Sequence, residues 1–104
     1  MTQNIPMKTQ ILLNSLFQGE LQLTVDNETV GYMEISVVES RITVYRTVTI
    51  PEDHKNRNEY CSILLDRLVS YARENTLKII PHCSYTFIRF KNNSYNYRDV
   101  WLIV

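Results

Sequence analysis

Leu77-Lys78-Ile79-Ile80-Pro81-His82-Cys83-Ser84-Tyr85 is a short, almost wholly apolar run that ends at a proline and then presents a cysteine followed by a hydroxyl residue. A run without polar alternation is the pattern of a strand in a sheet interior rather than at an edge. A thiol just past a strand end, where a helix can begin, meets the positive end of the helix dipole, which lowers a thiol pKa. On residue type alone Cys83 is open to two readings, a small buried apolar side chain or an accessible reactive thiol.

N-terminal to this run, Cys61, Leu64, Leu65, Leu68 and Ala72 recur at steps of three and four, which predicts one apolar helix face. Asn56 or Asn58 is placed to cap its start, Arg73 suits the dipole in its last turn, and Asn75 is expected in the left-handed conformation that ends it. A polar loop at 52–58 precedes the helix, and Pro51 stops the strand before that. In residues 42–50, Ile42, Val44, Val48 and Ile50 alternate with Thr43, Tyr45, Thr47 and Thr49. Two earlier alternating runs carry Gly31, Met33, Ile35 and Val37, and Leu21, Leu23 and Val25, with the turn signal Asp26-Asn27 between them. These three runs make an antiparallel meander, and the strand, helix, strand unit that follows implies a parallel crossover. The expected fold is α+β, a mostly antiparallel sheet with one parallel crossover and one long helix across it.

Residues 1–18 form an N-terminal extension or a first element, whose cluster Ile11, Leu12, Leu13, Leu16 and Phe17 fits either a helical turn or an edge strand. Residues 19–104 are read as a single domain. After Cys83, the residues Tyr85, Phe87, Ile88 and Phe90 fit a short helix or a strand. The apolar end at 100–104 is expected to dock on the body.

With 104 residues and 44% of them hydrophobic, the chain suffices for one core. Lys plus Arg equals Asp plus Glu at 11 each, which removes the broad basic field that nucleic-acid binding needs. No run is long enough for a signal core or a membrane span, so a cytoplasmic location with no membrane partner is expected. In that compartment Cys61 and Cys83 read as free thiols. They lack paired ligand spacing with His54 and His82, so no metal site is expected. The aromatic residues near the C-terminus pack the sheet rather than stack bases, since no basic stripe accompanies them. Cys61, on the apolar helix face, is expected in the core. Neighbours in an extended segment face opposite ways, which makes a His82-Cys83 dyad awkward.

The meander, the polar loop entering a helix, and the strand ending in Ile79-Ile80-Pro81-His82-Cys83-Ser84-Tyr85 together resemble the small, single-domain branch of the GNAT acetyltransferase superfamily. The resemblance covers residues 21–102. It is strongest in Ser62-Ile63-Leu64-Leu65, in Tyr71-Ala72-Arg73-Glu74-Asn75 and in the stretch quoted at the outset, and it extends to Tyr97, Asp99 and Val100. It implies acetyl transfer from acetyl-coenzyme A to an amine acceptor of unidentified kind, with Cys83 as acyl acceptor or as the acid that protonates the leaving thiolate. Thr49 and Ile50 would offer strand backbone to the pantetheine arm. The family's pyrophosphate pattern, Q/R-x-x-G-x-G/A, falls on Asn56, Arg57, Asn58, Glu59, Tyr60 and Cys61, with Ser62 following in the helix. Such a loop works because a helix N-terminus presents unpaired N–H donors to an anion and glycines allow close approach. Here Glu59 and Cys61 replace both small residues, and the family's His-Thr pair on the preceding strand has no counterpart near Arg46-Thr47. The alternative that follows is a degenerate relative that keeps the fold as a binding protein and no longer uses acetyl-coenzyme A.

Overall fold

The computed structural model describes residues 7–50 and 56–103. The stop at Pro51, the loop residues 51–55 with His54, and Val104 lie outside the described residues. In chain order the elements are β1 (Met7–Leu13), β2 (Gln18–Val25), β3 (Glu28–Val38), β4 (Arg41–Thr49), α1 (Arg57–Glu74), β5 (Lys78–Pro81), α2 (Ser84–Asn92) and α3 (Ser94–Tyr97). The strands form one sheet in the order β1-β2-β3-β4-β5, antiparallel through β4 and parallel between β4 and β5. The fold is α+β with the expected crossover.

The N-terminal cluster resolves as an edge strand, with Ile11 opposite Leu21 and Leu13 opposite Gly19. An ideal Cβ on Gly19 would lie 1.7 Å from the Leu12 carbonyl oxygen, so β1 approaches only because no side chain stands there. Asp26 and Asn27 both have positive φ, at 52° and 68°, the geometry of a type I′ turn whose twist matches the strands it joins.

One face of the sheet is covered. Leu21, Leu23, Met33, Ile35, Ile42, Val44 and Ile79 pack beneath Leu64, Leu65, Leu68 and Ala72 of α1. Each of the three fully buried α1 leucines contributes about 2 kcal/mol by leaving water. Cys61 and Val69 share this buried face. After Cys83 the chain is helical, because Thr86 and Phe90 fall four residues apart and both are buried. Phe90 stacks on Tyr97 with centroids 4.6 Å apart and lies 5.8 Å from Trp101.

Three expectations need correction. The residue with positive φ at the end of α1 is Thr76, at 54°, while Asn75 stays at φ −109° as the C-cap. The Leu77 N–H donates to the Ala72 carbonyl at 2.8 Å and the Thr76 N–H to Arg73 at 3.5 Å, a Schellman closure that requires the left-handed residue one position later. Second, β5 is the last strand of the sheet rather than an interior one. Its outer side is covered by the C-terminal segment, since Ile79 N–H donates to Val100 at 2.6 Å and Leu102 N–H to Ile79 at 2.9 Å. That cover is why it is apolar.

The third correction concerns β4. Glu34 pairs with Arg46 but Ile35 pairs with Val44, so Tyr45 is the extra residue of a β-bulge. Alternation resets there. Thr47 and Thr49 stand opposite the inward positions Met33 and Gly31, on the helix-covered face, while Tyr45 and Arg46 share the open face. The sequence pattern had placed Thr47 and Thr49 with Tyr45.

Candidate functional site

Pairing between β4 and β5 ends at Val44 opposite Pro81. Beyond it β4 continues along β3 to Thr49, and among the described residues no strand pairs with its other side. The chain leaving β5 is held at the base of this fork by the Cys83 N–H, which donates to the Val44 carbonyl at 2.9 Å. Cys83 is the N-cap residue of α2, with the extended backbone such a position needs (φ −71°, ψ 129°). Pro81 ends the ladder, Cys83 caps, and the helix begins.

The Cys83 side chain is 6% exposed, and its Sγ lies 3.2 Å from Thr47 Oγ1 across the fork. Only the bulge at Tyr45 turns Thr47 toward it. Burial pushes this thiol up. Opposing that are the Thr47 hydroxyl, the Thr86 backbone and hydroxyl, and the Tyr85 backbone, and together they hold the thiol below its ordinary pKa. The contacts from Tyr85 and Thr86 are those of the first turn of α2 and act through its dipole, without a regular side-chain capping bond. Thr86 Oγ1 is fully buried and has no hydrogen-bond partner at normal geometry, so its dipole acts on the sulfur as an otherwise unanswered polar group.

The other cysteine behaves differently. Cys61, the fifth residue of α1, has its pKa raised by burial, against a smaller lowering by Arg57, and the charge on Cys83 adds to the rise. Both cysteines are buried free thiols. Tyr85 belongs to the same neighbourhood. Its hydroxyl accepts a hydrogen bond from Arg89 at 2.6 Å, while burial, the largest influence, raises its pKa.

Of the remaining expected residues, Thr49 and Ile50 lie at the end of β4 and Asn56 to Ser62 at the start of α1. Thr49, on the covered face at the end of β4, is buried, and the Ile50 N–H is committed to the Val30 carbonyl at 2.7 Å. Asn56 is the N-cap of α1, and Arg57, Asn58, Glu59, Tyr60, Cys61 and Ser62 form its first turns rather than a loop. Arg57, Asn58 and Glu59 are exposed, Tyr60 is half-buried and Cys61 is buried. This helix end can present N–H groups to an anion, with the Glu59 carboxylate and the Arg57 guanidinium both in its first turn. Sequence reasoning did not select Thr47 or Thr86. Thr86 stands three residues after the cap, and Arg46 breaks the apolar phase between Val44 and Val48, which is the trace a bulge leaves in sequence.

His82 turns to the other side. It is exposed, and its ring lies parallel to Tyr45 with centroids 6.3 Å apart and planes at 4°. Tyr45 Oη and Ser36 Oγ are 2.8 Å apart on the open face. Among the described residues no group of three His, Cys, Asp or Glu side chains is arranged to hold a metal, and no helix is long and apolar enough to cross a membrane.

A family model described as GCN5-related N-acetyl-transferase matches residues 20–100. No curated protein and no solved structure matched the chain.

Proposed function

Since the chain belongs to the GCN5-related N-acetyltransferase family, we propose that it transfers an acetyl group from acetyl-coenzyme A, as substrate, to an amine, with Cys83 as the acyl acceptor at the β4/β5 fork. The observation that carries this reading is the Cys83 sulfur, held 3.2 Å from Thr47 and kept below the ordinary thiol pKa in spite of burial. A structural cysteine has no use for that depression.

The residues fit the acyl donor unevenly. At the fork, the unpaired side of β4 beyond Val44 offers backbone to an amide-bearing arm, and the Thr47 hydroxyl can donate toward a thioester oxygen. At the helix start, Glu59 opposes a diphosphate and Arg57 favours it. The donor supplies an acyl carbon activated by its thioester. The Cys83 thiolate bonds to that carbon as the donor C–S bond breaks, and the departing thiolate takes up a proton. An amine then forms the C–N bond as the Cys83 C–S bond breaks, and loses a proton to a base.

A second reading is favoured by one observation: the Glu59 carboxylate and the Cys61 side chain near the start of α1, where the family pattern has small residues. In that reading the fold persists as a binding protein without coenzyme. Thermal denaturation with coenzyme A and with acetyl-coenzyme A decides between them, because a ligand at 100 times its Kd adds about 2.7 kcal/mol. The expected result is a higher Tm with both, and no change with either supports the second reading. Intact mass after incubation with acetyl-coenzyme A is expected to show one added acetyl group in the wild type and none in Cys83→Ala. An unmodified wild type that binds coenzyme leaves direct transfer to the amine in place of the covalent route.

A further inference from the structure

Beside the fork, on the outer side of β5, lies a cavity of about 220 Å³ walled by Ile80, Phe87, Trp101, Leu102 and Ile103 and completed by His82. Phe87 and Trp101 meet edge to face, with centroids 6.1 Å apart at 87°. Among the described residues no carboxylate lines it. His82 is the wall this cavity shares with the mouth of the fork, because the same ring stacks on Tyr45 of the opposite arm.

From this arrangement we infer that the cavity holds the acceptor, a small primary amine with a compact apolar or aromatic body, and that His82 takes the amine proton. The inference rests on the reading of the fork as the place of acyl transfer. Apolar walls with one convergent polar group are the usual make-up of a small-ligand site. An aromatic body packs on Phe87 and Trp101, which leaves the neutral amine free to react. A polyamine, whose further charges need carboxylate partners, finds none among the described residues of these walls. The sides of the fork divide the work: Cys83 receives the acyl group on the helix-covered face, and the amine arrives past His82 from the open one. The proton balance is then complete. As the C–N bond forms and the acyl C–S bond breaks, the amine proton passes to an imidazole nitrogen of His82, and the sulfur leaves as thiolate.

Trp101 is the sole tryptophan of the chain, so its fluorescence reports on the cavity directly. Titration of the wild type with phenethylamine is expected to give a saturable change that spermidine does not. His82→Gln is expected to keep that binding and to lose about 100-fold in acetylation of phenethylamine, the loss typical when a general base is removed. The inference is overturned if coenzyme A raises Tm but phenethylamine gives no saturable change. It is equally overturned if phenethylamine binds without being acetylated, or if spermidine is the better acceptor. Absence of any Tm shift with coenzyme A or acetyl-coenzyme A is a different failure, that of the fork itself.

Discussion

Cys83 is governed by a contest between burial, which favours the neutral thiol, and a ring of donors, which favours the thiolate. Thr47 supplies the largest of the opposing influences, so Thr47→Val is expected to move the thiol back toward or above the ordinary value. The measurement is the pH dependence of alkylation in a Cys61→Ala background, which removes the other buried thiol. Alkylation should rise with pH through a midpoint below that of a free thiol in the parent and at higher pH in Thr47→Val. An unchanged midpoint would show that Thr47 does not act on the sulfur. The sign for stability follows. A depressed acid stabilises the folded state above its unfolded pKa, and that contribution fades as pH falls through the folded value. Thr86→Val separates chemistry from folding. It replaces a buried hydroxyl without a partner by an apolar isostere, so stability should hold or rise by about 1 kcal/mol in urea denaturation. The alkylation midpoint should still move up, since one of the thiolate's favourable dipoles is gone.

At the scale of elements, what could be read from sequence was whatever local periodicity dictates. The face of α1 through Leu64, Leu65, Leu68 and Ala72 is buried as its spacing requires, and the Asp26-Asn27 turn has the positive φ values its residue types favour. Features set by tertiary contacts were not legible. The bulge at Tyr45 moves Thr47 to the other face of the sheet, and the cover over β5 comes from residues twenty positions away in the sequence, beyond any local pattern. The end of α1 failed for a subtler reason. Asn75 is the better left-handed residue by type, but its side-chain amide donates to the Tyr71 carbonyl at 2.9 Å and its backbone remains at negative φ. The closure through Leu77 then forces Thr76, a β-branched residue, to φ 54°. That conformation is costly for a β-branched side chain and free of steric cost for glycine. Thr76→Gly is therefore expected to stabilise the protein by about 1 kcal/mol, read as a higher urea midpoint at unchanged m-value. A lower midpoint would mean that the Thr76 side chain contributes more than its backbone costs.

Across the whole molecule, chain direction places the start of α1 after the C-terminal end of β4, on the side where the fork opens. Ligands of open α/β arrangements gather at the carboxyl ends of parallel strands where neighbours part, and one helix N-terminus pointing there suits a phosphate. The net charge of zero gives no long-range steering toward an anion, so the local balance in the first turn of α1 decides. Glu59 and Arg57 are both exposed there and act in opposite directions on a diphosphate. Removing the carboxylate alone should tip the balance. At a few ångströms in a solvated setting, one such repulsion is worth on the order of 1 kcal/mol, or roughly a fivefold change in Kd. Glu59→Gln is accordingly expected to bind coenzyme A about fivefold more tightly by titration calorimetry at low salt. The gain should shrink as the Debye length falls below about 8 Å. Pantetheine, which lacks the diphosphate, should bind wild type and variant alike. A gain of equal size for pantetheine would place Glu59 beside the arm rather than the phosphates, and no gain for either ligand would take the diphosphate away from this helix end.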